Sequence, residues 1–243
     1  MSEISVIIPK NDDENLMRSA IKIVMQQSFK DFEIIRENDF SETVSGKYIA
    51  IMHANYVMHV DRLKIQHATM EAEPSIAVCF SRVEQFANKK PVKGDKKLPT
   101  VAGLIENPLL DLLQGNFVIR PSAMVRKSFL NEHNLQCGID AFRFWAEIAK
   151  HGGQFYADTQ TLLYSSQAEI DIEDDGKNKQ SSETVINEII EFLVDTNGKN
   201  HPELRILLDN FRKLQNKEMM TQEEIVIGFF RSFFNKNKEH LCP

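Results

Sequence analysis

His53 and Asn55 lie two residues apart in Tyr48-Ile49-Ala50-Ile51-Met52-His53-Ala54-Asn55-Tyr56, where an apolar run gives way to a polar turn. An imidazole and an amide at this spacing can hydrogen-bond a ligand. Neither supplies the negative charge that hard divalent cations select. His59 and His67 extend the series, but the histidine spacing fits no metal-ligand signature, and single histidines on half-buried faces are ordinary. The stretch 88–99, with five lysines, two prolines and a glycine, reads as a solvated surface loop more readily than as a phosphate grip.

Elements must present these residues. Tyr48 to Met52 reads as a buried strand, a short apolar run bounded by turn residues. In open α/β sheets the ligand crevice lies beyond the carboxyl ends of the strands, so His53 to Tyr56 are expected to face it. Upstream, Ile4 to Ile8 is a β-branched run ended by Pro9 and fits a first, fully buried strand. Asn11-Asp12-Asp13-Glu14 starts a helix over 14–27 that buries Leu16, Ala20, Ile23 and Val24, and Phe32 to Ile35 is the second strand. This β-α-β opening implies a right-handed crossover. Further on, a helix over 61–71 carries Leu63 and His67 on one face, and a strand covers 76–81. A short helix over 104–113 follows, and a final strand pair over 155–164 closes this part. The expected fold class is α/β, a mainly parallel sheet flanked by helices, with the strands at Ile4, Ile34, Ile49 and Ile76 side by side.

After Ser166 the composition changes. Residues 167–180 read as a linker, acidic then polar, and 181–243 as a helical region with amphipathic helices over 182–195, 202–217 and 221–235. Thr221-Gln222-Glu223-Glu224 is a capping box. The last helix carries Ile225, Val226, Ile227, Phe229, Phe230, Phe233 and Phe234, beside Lys236 and Lys238. It reads as core, as a partner surface or as a helix lying on a membrane; packing is the favoured reading.

With 243 residues, 42% hydrophobic and 26% charged, the chain can bury the core of one α/β domain, assigned to 1–166, with this helical appendage. A formal net charge of -6 leaves no electrostatic footprint for nucleic acid. Cys79, Cys137 and Cys242 lack metal-like spacing and suit free thiols in a reducing compartment, so a cytoplasmic location is expected. Met1-Ser2-Glu3-Ile4-Ser5 has neither a basic flank nor a long apolar core, and no run approaches the roughly 18 apolar residues of a membrane helix. Membrane contact, if made, is expected to be peripheral.

Several of these stretches together resemble a known family. Ser5-Val6-Ile7-Ile8-Pro9, Gln26, Phe32-Glu33-Ile34-Ile35, Gly46-Lys47-Tyr48-Ile49-Ala50 and Asp61-Arg62-Leu63 match motifs of family 2 glycosyltransferases with the GT-A fold. Arg126-Lys127-Ser128-Phe129-Leu130 and the helix through Trp145 to Gly152-Gly153 resemble its acceptor half, so the likeness spans most of 3–165. It implies a GT-A-like nucleotide-diphospho-sugar transferase fold and transfer of a sugar from a nucleotide-sugar donor to a glycan or lipid-linked acceptor. Pro9, Asn11, Asp12, Asn38, Asp39, His53 and Asn55 fall at positions implied to contact the nucleotide sugar.

The departures from the pattern are chemical. His53 and Asn55 stand where the family has Asp-x-Asp holding a divalent cation, so manganese or magnesium is disfavoured and no metal ligand is assigned. Lys10-Asn11-Asp12 replaces x-Tyr-Asn, and Asn38-Asp39-Phe40-Ser41 replaces Asp-Asp-Gly-Ser. The segment between Asp39 and Gly46 is much shortened. The family's general base falls at Ala141; its neighbour Asp140 is the candidate, with a helix N-cap as the competing role. Lys10 and Arg36 are the cations nearest the expected site, where they can stabilise a leaving diphosphate. Three readings follow: a working transferase, a degenerate member that binds a sugar, a glycan or a partner enzyme without turnover, or a structural partner in which the C-terminal helices do the work.

Overall fold

The computed structural model describes residues 2–36, 44–87, 90–91, 101–136, 140–165, 179–197 and 220–237, together with 205, 206 and 209. Asn38, Asp39, most of the lysine-rich stretch, the linker except Lys179 and Gln180, most of the helix expected over 202–217, Cys137 and Cys242 lie outside the described residues. The chain divides into two compact units, one of 1–106 with 117–174 and one of 107–116 with 175–243.

The first unit begins with β1 (Ile4–Ile7), α1 (Glu14–Met25), β2 (Phe32–Ile35), β3 (Tyr48–Ile51), β4 (Tyr56–Met58), α2 (Arg62–Ala72) and β5 (Ile76–Ala87). Short strands β6 (Lys90–Pro91) and β7 (Gly103–Leu104) follow, then a 3-10 turn (Arg120–Ser122), β8 (Met124–Arg126), α4 (Lys127–Glu132), α5 (Ala141–Lys150) and β9 (Gln154–Ser165). The sheet runs β2-β1-β3-β8-β5-β9-β4, with β6 on β5 and β7 on β9. The α/β class stands, but the sheet is mixed. β1 is parallel to β2 and β3, and β5 to β9, whereas β8 lies antiparallel between β3 and β5. The strand at Ile76 is therefore not beside the strand at Ile49.

Local chemistry explains the elements. β1 is buried throughout, as the two-sided apolar run requires. Asp13 caps α1 by accepting from the Asn15 and Leu16 amides at 2.8 and 3.1 Å, while Asn11 Oδ1 accepts from the Asp13 amide at 2.8 Å. The buried stripe of α1 is Met17, Ala20 and Val24; Leu16, expected inside, is 39% exposed. Ala20 and Val24 are buried as expected and Ile23 is half-buried, so only Leu16 falls outside the stripe, and Met17, about 100° round the helix from it, takes its place. Asp61 makes no capping bond to α2. Buried Gln27 does so across the chain, its Oε1 accepting from the Leu63 amide at 3.0 Å and its Nε2 donating to the His59 carbonyl at 2.8 Å.

A buried polar cage holds β8 in place. Arg62, fully buried, donates from Nη2 to the Ile51 and Ala123 carbonyls at 3.1 Å and from Nε to Gln66 Oε1 at 2.9 Å. Gln66 in turn donates to the Ser122 and Cys79 carbonyls at 2.9 and 3.3 Å. Burial pushes the Arg62 guanidinium down to about 9 and the Cys79 thiol up to about 12. From β8 itself, Arg126 donates to the Ile76, Met70 and Glu73 carbonyls and to the Tyr48 hydroxyl, closing the carboxyl end of α2.

The passage from β2 to β3, residues 36–47, is about as short as a parallel crossover can be. It is tied down at its end. Glu33 Oε1 accepts from the hydroxyls of Ser5 and Ser45 and from the Ser45 amide, and Ser5 Oγ accepts from the Gly46 amide at 2.8 Å. Although its partial burial works the other way, these bonds hold the Glu33 carboxyl below its ordinary value.

In the second unit, α3 (Pro108–Leu113), α6 (Lys179–Asn197) and α7 (Met220–Asn237) supply the apolar faces. Leu112, Leu113, Ile189, Ile190, Phe230 and Phe234 are buried, and Arg231 Nε donates to the Leu113 carbonyl at 2.7 Å. Ile227, Phe230 and Phe234, at helical spacing, are thus core of the helical unit, while Phe229 is 45% exposed. No helix among the described residues is long and apolar enough to cross a membrane.

Two glycines separate close packing from helix propensity. A Cβ on Gly46 meets the Ser5 amide at 2.5 Å and the Ile4 carbonyl carbon at 2.8 Å, both backbone atoms, whereas one on Gly228 in α7 meets nothing within 4 Å. Gly46→Ala is expected to destabilise by about 1–3 kcal/mol and Gly228→Ala to stabilise by about 0.5–1 kcal/mol. Urea unfolding of the two variants beside wild type checks both signs.

Candidate functional site

The carboxyl edge of the parallel part of the sheet gathers three chain segments. The Ile8 amide donates to the Ile35 carbonyl at 2.8 Å and the Met52 amide to the Ile7 carbonyl at 2.9 Å. The residues leaving β1, β2 and β3 therefore emerge side by side, at the position where open α/β sheets build ligand crevices. A cleft of about 410 Å3 opens there, lined by Lys10, Asn11, Asp12, Glu14, Met17 and Arg36. Asn11 and Asp12 were expected at a site. Glu14 and Met17 were not, although their spacing of three places them on one face of α1. Met17 is buried and Pro9 half-buried, while Lys10, Asn11, Asp12, Glu14 and Arg36 are exposed. The cleft thus offers two cations, two carboxylates and an apolar thioether.

His53 and Asn55 are half-buried in the turn between β3 and β4 and do not line this cleft. The Tyr56 amide donates to the His53 carbonyl at 3.1 Å, closing the turn, and the two rings meet edge to face at 6.3 Å. Tyr56, expected to face the crevice, instead starts β4 and is 1% exposed. Its ring belongs to the core because β4 pairs with β9. The turn therefore presents an imidazole and an amide with no carboxylate between them, a donor set that does not fit a hard divalent cation.

Asp140 precedes α5, and its Oδ1 accepts from the Arg143 amide at 3.0 Å. Its Oδ2 stands 3.8 Å from Arg143 Nε. Ala141, where the resemblance places the base, is fully buried.

No protein-family profile matches the chain, and no curated protein sequence does. Solved structures match in three dimensions. Crystal structures of S. aureus TarS 1–349 with UDP-GlcNAc and with UDP give TM-scores of 0.59 and 0.58 at 11% and 12% identity. They align over 79% and 77% of this chain and 66% and 65% of theirs. The chain has a GT-A-like glycosyltransferase fold. It spans just under two thirds of the length of those two TarS structures, and another S. aureus TarS structure is covered over 40% of its length at a TM-score of 0.56.

At the opposite, amino-terminal edge, Glu3, His67 and Glu71 bring one ligand atom each within 4.8 Å of one another, the one such group among the described residues. Other partners already occupy it. Glu71 accepts from the Lys47 ammonium and the Tyr48 hydroxyl, and His67 Nε2 lies 3.4 Å from Glu3 Oε2. The bonds from Lys47 and Tyr48 pull the Glu71 carboxyl down to about 2 from an ordinary 4.5. A carboxyl depressed in the fold contributes stability above its unfolded value and loses it as pH falls through the folded one. Stability is therefore expected to fall between pH 4.5 and about 2, less steeply in Glu71→Gln. The pair is exposed, so the difference between the two proteins should shrink in about 1 M salt. Thermal melts across this range test it.

Proposed function

We propose that this chain is a family 2 glycosyltransferase-like protein that moves a sugar from a nucleotide-sugar donor to a glycan or lipid-linked acceptor. Residues 1–166 form its transferase part in this reading. The observation that carries it is the polar cleft at the carboxyl ends of β1 and β2, in a fold shared with a protein solved with UDP and UDP-GlcNAc. Asn11 and Asp12, with Pro9 beside them, contact the nucleotide; Asn38 and Asp39, beyond β2, belong to the same proposal. In the transfer, the acceptor oxygen forms a bond to the sugar's anomeric carbon as the bond from that carbon to the diphosphate breaks. The diphosphate leaves with the bonding pair, and the acceptor's proton passes to Asp140. Asp140→Asn separates the two roles of this residue, because Asn and Asp cap alike while only Asp takes a proton.

A specific observation favours a second reading, a binding or scaffold protein without turnover. The residue at the family's base position, Ala141, is fully buried and apolar, and the neighbouring carboxylate is engaged as a cap. The two readings part in one assay, transfer and donor hydrolysis over a panel of nucleotide sugars. Asp140→Asn is expected to lower transfer by about 10² to 10⁴ with the melting temperature unchanged. Turnover that survives Asp140→Asn rejects the base; turnover seen only in Ala141→Asp establishes the second reading.

A further inference from the structure

We infer that this cleft binds the diphosphate of its nucleotide without a divalent cation, with Arg36 and Lys10 supplying the positive charge. The inference rests on the nucleotide-sugar reading above and names how the same site meets the ligand's charge. A diphosphate in a protein site needs counter-charge, and the resemblance to family 2 glycosyltransferases implies a metal on paired carboxylates after the third strand. Here that turn carries His53 and Asn55, which offer no negative charge to a cation. Among the described residues, the one cluster with three metal-type donors, Glu3, His67 and Glu71, sits at the other edge of the sheet. Tyr48, whose hydroxyl bonds Glu71, opens β3, and Met52 follows its other end on the cleft side. That cluster cannot serve a ligand in the cleft.

The charge is present in another form. Lys10 follows β1 and Arg36 follows β2, neighbouring strands in register, so both cations come from the same edge and line the same cleft. A guanidinium offers a planar fork to phosphate oxygens, and an ammonium offers a compact point charge. Asp12 and Glu14 also line the cleft. As hydrogen-bond acceptors they suit hydroxyls of a ribose or sugar, while the two cations suit phosphate oxygens, so the site matches a ligand that carries both. A cation bridging Asp12 and Glu14 to the phosphates is the competing arrangement, and it predicts the opposite metal dependence.

The test is calorimetric titration of the full chain with UDP and with GDP, in EDTA and in manganese chloride. At least one nucleotide is expected to bind in EDTA, with affinity changed less than about twofold by manganese. Arg36→Gln and Lys10→Gln together are expected to weaken that nucleotide at least about tenfold, the loss of charge-assisted hydrogen bonds to phosphate, and to leave the melting temperature unchanged. Binding that needs manganese, or a manganese gain that vanishes in Asp12→Asn, overturns the inference and leaves the nucleotide reading standing. Unaltered affinity in the double variant overturns it as well. If neither nucleotide binds under either condition, the nucleotide reading fails and the inference fails with it.

Discussion

The fold depends on a close backbone crossing at Gly46. The chain leaves β2 at one edge of the sheet and must re-enter at the other to begin β3 on the far side of β1, with only residues 36–47 to do so. It passes so near β1 that a single methyl group at Gly46 would meet backbone atoms of Ile4 and Ser5. Three hydrogen bonds into one oxygen of Glu33, and a fourth into Ser5, fix the crossing. The polar residues in otherwise apolar strands are thus the ones that tie β2, β1 and the start of β3 together, and a buried polar group is tolerated because it is satisfied.

From this anchored parallel trio the rest of the sheet follows by side-chain cages as much as by strand pairing. β8 is only three residues long, too short for its own pairing to specify its position strongly. Arg62 and Gln66, projecting from α2, bind carbonyls of β3, of the 3-10 turn, of the residue that follows it and of β5 at once. Burying an unpaired guanidinium is expensive, so the cage works only when all those carbonyls are in place. Strand order and helix position are therefore set jointly.

The same trio places the candidate site. Because β1 and β2 run parallel and in register, the residues following them share an edge, and Lys10 and Arg36 arrive at one cleft from segments far apart in sequence. The turn after β3 keeps its shape through a backbone bond and a ring contact, and His53 and Asn55 in it carry no carboxylate that would attract a metal.

Much of the parallel trio was legible in the sequence. Runs of β-branched residues give β1, β2 and β3 nearly to the residue, and Asp13, Asn11 and Glu14 mark the start of α1, because burial on both faces and capping are local properties. Asp140 as a cap was legible for the same reason. Non-local terms decided the rest. The insertion of β8 between β3 and β5 depends on buried arginine contacts between residues some sixty positions apart, and the membership of 107–116 with the C-terminal helices depends on apolar faces separated by a whole domain. Tyr56 reads as a turn residue from composition, yet it is core because β4 finds β9 more than a hundred residues later. Lys10 and Arg36 were expected near the site from the sequence, and the parallel register of β1 and β2 is what brings them to one cleft. Local sequence fixed the strands, caps and residue chemistry; tertiary structure decided which of those residues share a site, because that depends on pairings whose partners are distant along the chain.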